Sequence, residues 1–271
     1  MAADDAISDS ALSDNGLKIT PPYGYREIVP LQKSDKVLLP RGSTPEFCRS
    51  ANTLALSSGE FVAAARDYPI AFASADGKSF APVALIGLAA GQNLFVDAQG
   101  AWESGHYIPA FIRRYPFCLA RVMVQGKARS DRIVCVEKSY VDGGGLALYD
   151  DEGKVTANWS GFEQLLQSYE NDLELTAQMC DAFVKLDLFE AFEFKIMNGE
   201  EASLTIKGMY RIDEKRFQEL KPASHKALVS KGFMGKIYSH FHSLENFSRL
   251  YQRALALAAQ QARLQKEQIQ R

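Results

Sequence analysis

Two rhythms of hydrophobic and polar positions run along the chain, and one gives way to the other near Asn158. Before it, short apolar pieces are bounded by proline, glycine and polar turns. Glu27–Pro30 and Lys36–Pro40 predict edge strands ended by proline. Pro69–Ala73, Pro82–Leu88 and Leu94–Asp97 predict strands separated by turns at Ala75–Lys78 and Ala89–Gln92. Val122–Gln125 and Arg132–Glu137 predict two more, joined by a polar connection over Gly126–Asp131, and Leu146–Tyr149 another after a triple glycine. Thr44-Pro45 reads as an N-cap followed by proline at the first helical position. Ser57-Ser-Gly-Glu60 is a capping box ahead of Phe61, Val62 and Ala65, in a helix that Pro69 ends.

After Asn158 the period becomes helical. Ser160-Gly-Phe-Glu163 forms a second capping box, and Phe162, Leu165, Leu166 and Tyr169 share one face. The pattern resumes at Met179, Phe183 and Leu186, which predicts two helices or a kink near Asn171. Phe192, Phe194 and Ile196 then alternate with Glu193 and Lys195, and Leu204, Ile206 and Lys207 resume after Asn198-Gly199. That is the signature of a hairpin with a type I′ turn. Asp213 caps a short helix to Leu220, and Ser224–Lys231 forms another closed by Gly232. A last helix carries Ile237, Phe241, Leu244, Phe247, Tyr251, Ala254 and Ala258. Strands mostly first and helices mostly second predict an α+β fold: a largely antiparallel sheet from the N-terminal half and a hairpin near 192–208, covered by helices from the C-terminal half. Residues 23–258 are expected to form a single domain, between a disordered leader over 1–22 and a polar helical or disordered tail over 259–271. A split near Asn158 is the alternative.

Composition narrows the function classes. The 31 basic and 33 acidic residues give a net charge of −2, so no global field recruits nucleic acid or an anionic membrane. Asp4, Asp5, Asp9 and Asp14 make an acidic start; Arg249, Arg253, Arg263, Lys266 and Arg271 make a basic end. No apolar run approaches the ~20 residues of a membrane helix. A secretory signal is absent, which sets a cytoplasmic location as the expectation. Cys48, Cys118, Cys135 and Cys180 show no CxxC spacing and read as small buried hydrophobes.

Chemistry is sparse. The His240-Phe-His242 pair cannot chelate one ion from a regular helix, because residues two apart point ~200° apart; no metal is expected. Asp142-Gly-Gly-Gly145 and Gly87-Leu-Ala-Ala-Gly91 lack the context of a phosphate loop, and no nucleophile elbow occurs, so no cofactor is expected either. Two polar knots remain. Arg66-Asp67-Tyr68-Pro69 marks a helix-to-strand junction. The stretch from Asn93 to Leu119 carries Asp97, Trp102, His106, Tyr107, Phe111, Arg113, Arg114 and Tyr115, with a short helix expected over Pro109–Tyr115. Arginine forks suit carboxylate or phosphate, and the aromatic neighbours suit a ring or a peptide. The structural alternative is an arginine buried against an acid such as Asp97 or Glu103.

Glu60–Ile70, Pro82–Leu88, Gln92–Asp97 and Tyr107–Phe117, together with the late segment Gly235–Leu244, resemble the SapC-like family of bacterial proteins over about Tyr25–Tyr251. The family takes its name from a gene associated with a surface-layer locus; an unrelated peptide-transport permease of the same name is excluded by the missing membrane helices. The resemblance implies companions of flavin-dependent tryptophan halogenases and TonB-dependent receptors, and it carries over no catalytic residues. The leading expectation is a soluble accessory or binding protein. It would recognise a peptide or small anionic or aromatic ligand in support of a modification or export pathway, through Arg113, Arg114, Trp102, Tyr107, Tyr115, Arg66, Asp67, Asp97 and His106. A protein partner is expected along the C-terminal helix, and no nucleic acid. One alternative is a peptide- or amino-acid-modifying enzyme, oxidative in kind, with His106, Tyr107 and Asp97 as acid and base. A surface-layer structural component is the other, and the absent export signal speaks against it.

Overall fold

The computed structural model describes residues 12–13, 17–40, 42, 44–124, 127–198 and 201–269. Strands β1 (Leu12–Ser13) and β2 (Leu17–Lys18) fall in the stretch expected as a leader. Residues 1–11 and 14–16 of that stretch, with Asp4, Asp5, Asp9 and Asp14, lie outside the described residues. β3 (Ile28–Pro30) and β4 (Lys36–Val37) follow, then a 3-10 turn over Glu46–Arg49 with Pro45 at its N-cap. Thr44, expected in the capping place, instead donates its hydroxyl to the Gly100 carbonyl at 2.7 Å. After β5 (Thr53–Ala55), the Ser57 amide donates to the Glu60 carboxylate at 2.8 Å, and α1 (Phe61–Ala64) starts directly behind it. β6 (Ile70–Ala73) and β7 (Ala81–Leu85) pair across the seven-residue loop 74–80.

Leu94–Asp97 is not the expected strand. The Asn93 side chain donates to the Cys48 carbonyl at 2.6 Å and accepts the Phe95 amide at 2.8 Å, which curls the chain and leaves only a bridge between Val96 and Trp102. α2 (Ala110–Arg113) is the short helix expected after Pro109. β8 (Phe117–Val124) and β9 (Lys127–Glu137) form one long hairpin, so the polar run after Gly126 is strand from Lys127 and not a connection; residues 125–126 lie outside the described residues. After β10 (Leu146–Ala147), α3 runs unbroken over Ala157–Lys185, and Ser160–Glu163 sits inside it rather than opening it. Asn171 and Asp172 do not break α3: the Thr176 hydroxyl donates to the Asp172 carbonyl at 2.5 Å and accepts the Ser58 amide at 2.7 Å. Tertiary hydrogen bonds hold the helix where its sequence is polar.

β11 (Phe189–Asn198) and β12 (Glu201–Ile212) give the expected hairpin, closed by the pair Asn198–Glu201; its turn at 199–200 lies outside the described residues. α4 (Glu214–Gln218) is capped by Asp213, which accepts the Arg216 amide at 3.1 Å. α5 (Pro222–Ser230) begins on proline and is followed by Gly232 at φ +72°, the left-handed position that suits glycine. The expected last helix is two, α6 (Met234–Ser243) and α7 (Asn246–Ile269). The break has a cause. The buried Ser243 hydroxyl donates to the His240 carbonyl at 2.6 Å, and the Asn246 side-chain amide donates to the Ala65 carbonyl at 2.8 Å.

Backbone contacts gather residues 1–41 with 114–167, and residues 42–113 with 168–271; α3 passes from the first group to the second after Gln167. The first unit holds the antiparallel sheet β1-β2-β8-β9-β3 and the ribbon β4-β10. Its core is Val37, Phe117, Val136, Leu148, Trp159 and Leu166, with the Trp159 and Phe162 rings 4.7 and 5.0 Å from Phe117. The second unit holds the antiparallel sheet β11-β12-β6-β7-β5, with α6 packed on β6, β12 and α1. Phe61, Phe72, Phe183 and Phe233 fill its core. The fold is α+β and antiparallel, with helices in the C-terminal half, and its described strands are divided between two five-stranded sheets and a two-stranded ribbon. All four cysteines are free and buried, and burial pushes the thiols of Cys48, Cys135 and Cys180 up to about 12.

Candidate functional site

In the second unit the segment from Asn93 to Arg113 is held by side chains outside it, and Glu60 is the central one. Its carboxylate is buried at the start of α1. One oxygen accepts the Ser57 amide and hydroxyl at 2.8 and 2.9 Å; the other accepts the Ala110 amide at 2.6 Å and the Tyr107 hydroxyl at 3.0 Å. Four donors replace the water that a buried carboxylate has lost. Tyr107 has a single hydroxyl proton, which goes to Glu60, so its oxygen is an acceptor on the other side. There it receives an Arg113 Nη2–H at 3.0 Å. The Arg113 Nε–H donates to the Ile108 carbonyl at 2.9 Å, and the guanidinium carbon lies 5.6 Å from the Tyr107 ring centre. Burial, then the nearby Glu60 charge, push the Tyr107 phenol up to about 12, so it stays a proton donor at neutral pH.

A second set of contacts fixes the backbone of Tyr107. The Asp67 carboxylate accepts its amide at 2.8 Å, and the Tyr68 hydroxyl donates to its carbonyl. Trp102 Nε1–H donates in turn to the Tyr68 oxygen at 3.2 Å, and the Tyr68 ring meets Phe95 edge-on at 4.8 Å. Burial raises the Tyr68 phenol well above its usual range. Arg253 of α7 supplies the third anchor. It donates twice to the Leu94 carbonyl, at 3.3 and 3.1 Å, pairs with Glu103, and lies 4.3 Å over the Phe95 ring.

The structure therefore gathers Arg113, Tyr107, Asp67 and Trp102 of the expected site residues, and separates the others. Arg114 and Tyr115 belong to the first unit. There Arg114 is buried with its guanidinium 6.0 Å from the Tyr25 ring, and Tyr115 is buried between Tyr25 and Tyr140, at 5.0 and 5.2 Å. Arg66 is exposed and, among the described residues, donates to the Ala63 carbonyl at 3.5 Å. Asp97 accepts the Ala101 amide at 2.8 Å and closes a turn. The His106 ring packs edge-on against Phe95 at 5.2 Å. Glu103, expected as a partner for Arg113 or Arg114, pairs with Arg253. Glu60, Tyr68 and Arg253 were not among the expected site residues. Glu60 was visible as a capping residue and Tyr68 within the Arg-Asp-Tyr-Pro knot; nothing near Arg253 marks it out.

His240 is fully buried and bridges two strands, while His242 is exposed. Among the described residues no group of three histidine, cysteine or acidic side chains could hold a metal ion. No helix among them is long and apolar enough to cross a membrane.

What the geometry provides is an arginine at the surface, aimed by a tyrosine that a buried carboxylate holds in place. No curated protein and no solved structure matches the chain significantly. The SapC family profile matches residues 35–250, which takes in α1, the whole held segment and the first part of α7. The chain belongs to the SapC family.

Proposed function

We propose that this protein is an accessory binding protein that recognises a carboxylate-bearing ligand, a peptide or a small anionic molecule with an aromatic group, through Arg113. One observation carries the reading. Arg113 is exposed and held through Nε and Nη2, yet among the described residues no carboxylate pairs with it. The other arginines of the second unit with a comparable hold are neutralised: Arg253 by Glu103, Arg211 by Glu190, Arg216 by Asp187 and Asp213. A guanidinium already oriented loses little conformational entropy when an anion arrives. The Tyr107 face beside it offers a surface for an aromatic ring. Service to a peptide or amino-acid modification or export pathway is part of the same proposal.

Native mass spectrometry of protein purified from its own host tests the reading. A retained small molecule or peptide in the parent, absent from Arg113→Gln of equal thermal stability, is the expected result. Retention of the same species by Arg113→Gln would move the site elsewhere.

A further inference from the structure

A guanidinium carries its N–H groups in one plane, as a side-on pair on Nε and Nη2 and an end-on pair on Nη1 and Nη2. In Arg113 the side-on pair is taken up by the protein: Nε–H by the Ile108 carbonyl at 2.9 Å and one Nη2–H by the Tyr107 oxygen at 3.0 Å. Arg113 is exposed, so a ligand carboxylate meets the end-on pair. One of its oxygens then shares Nη2 with the Tyr107 oxygen. Towards that ligand the tyrosine is an acceptor only. Its single proton goes to the buried Glu60 carboxylate at 3.0 Å, and among the described residues Arg113 is the one donor that reaches it. The bond to a buried anion makes the phenol oxygen a stronger acceptor. A second carboxylate, Asp67, holds the Tyr107 amide at 2.8 Å, so positive and negative groups meet around one side chain.

We propose that the ligand is an α-amino acid in its zwitterionic form, with its carboxylate on the end-on pair of Arg113 and its ammonium donating to the Tyr107 oxygen. The proposal rests on Arg113 as the carboxylate anchor and adds Tyr107 as the residue that reads the amino group. The spacing agrees. The two N–H bonds of Nη2 diverge by about 120°, which sets the tyrosine oxygen and the nearer carboxylate oxygen about 5 Å apart. In an α-amino acid the nitrogen lies about 2.7 Å from that carboxylate oxygen, and a further hydrogen bond of about 2.9 Å reaches the tyrosine. A carboxylate without an α-nitrogen leaves the tyrosine lone pair facing an anion. A charged nitrogen gains most, because Glu60 stands behind the oxygen it meets.

Calorimetric titration of the full chain with L-phenylalanine, N-acetyl-L-phenylalanine and 3-phenylpropionate tests this. The three share ring and carboxylate, and their α-nitrogen is charged, neutral and absent in turn. Affinity should fall in that order, by at least about tenfold from first to last. Tyr107→Phe, with an unchanged circular dichroism spectrum, should bring the three together, and Arg113→Gln should weaken all of them. Equal affinity of the parent for phenylalanine and 3-phenylpropionate, with both weakened by Arg113→Gln, overturns the amino-group contact and leaves Arg113 as the anchor. The same order persisting in Tyr107→Phe overturns the role given to Tyr107. Binding of none of the three overturns the proposal together with the carboxylate reading beneath it.

Discussion

The buried carboxylate of Glu60 accepts the Tyr107 hydroxyl at 3.0 Å, and through that bond it sets the direction of a surface guanidinium. The arrangement depends on Glu60 being an acceptor at both oxygens. Glu60→Gln presents an amide N–H to at least one of four donors and destabilises the fold by about 3 kcal/mol, whereas Tyr107→Phe removes one bond pair and costs about 1 kcal/mol. Urea titration of both variants measures the order. Equal effects would mean that Glu60 acts only as a helix cap.

The capping-box half of that network was legible because Ser57 and Glu60 are three residues apart. The Tyr107 half was not, since it joins positions separated by 47 in the chain and no periodicity reaches that far. The same limit explains α3, whose polar Asn171-Asp172 step is carried by a bond from the Ser58 amide to the Thr176 hydroxyl. It also explains Leu94–Asp97, where an asparagine side chain replaced the expected ladder. Arginine density drew attention to this stretch of chain, but neighbouring Arg113 and Arg114 lie in different units, one exposed and one buried, and adjacency alone could not separate them. The hairpin over β11 and β12 and the caps at Asp213 and Gly232 were readable because their causes are local.

His240 predicts a pH dependence. Its Nε2 accepts the Ile212 amide at 3.1 Å and its Nδ1 lies 2.9 Å from the Ile70 carbonyl, so the neutral ring protonated on Nδ1 satisfies both strands. Burial lowers its pKa to about 4, against about 6.5 in the unfolded chain. Between those values the unfolded chain binds a proton that the native ring refuses. Stability is therefore full above about pH 6.5 and falls as pH drops towards 4, by on the order of 3 kcal/mol from this group. Urea melts across that window should show the slope, and His240→Gln should flatten it.

Gly87 permits a backbone approach that no other residue can make. A Cβ there would lie 1.9 Å from the Gln92 carbonyl oxygen, and the Gly87 amide is bonded to the Asn52 carbonyl at 3.1 Å. Gly87→Ala should cost about 3 kcal/mol, because backbone and not a movable side chain is in the way. A melting temperature within a degree or two of the parent would contradict this.

Arg253 holds the Leu94–Glu103 turn by two carbonyl bonds, an ion pair and a ring contact. Arg253→Ala should destabilise by about 2 kcal/mol and shift Trp102 fluorescence, since the Trp102 and Phe95 rings stack with planes 15° apart. Lysine should restore only part of the loss, because it cannot donate as a planar fork.

The proposed function makes Arg113 a carboxylate anchor preset by Tyr107. Calorimetric titration with an acetylated tripeptide ending in a phenylalanine carboxylate, compared with its C-terminal amide, tests it most directly. The parent should bind the acid and not the amide, Arg113→Gln should lose at least about tenfold in affinity, and Tyr107→Phe should fall between them. Equal affinity of the parent and Arg113→Gln for the acid would contradict the account.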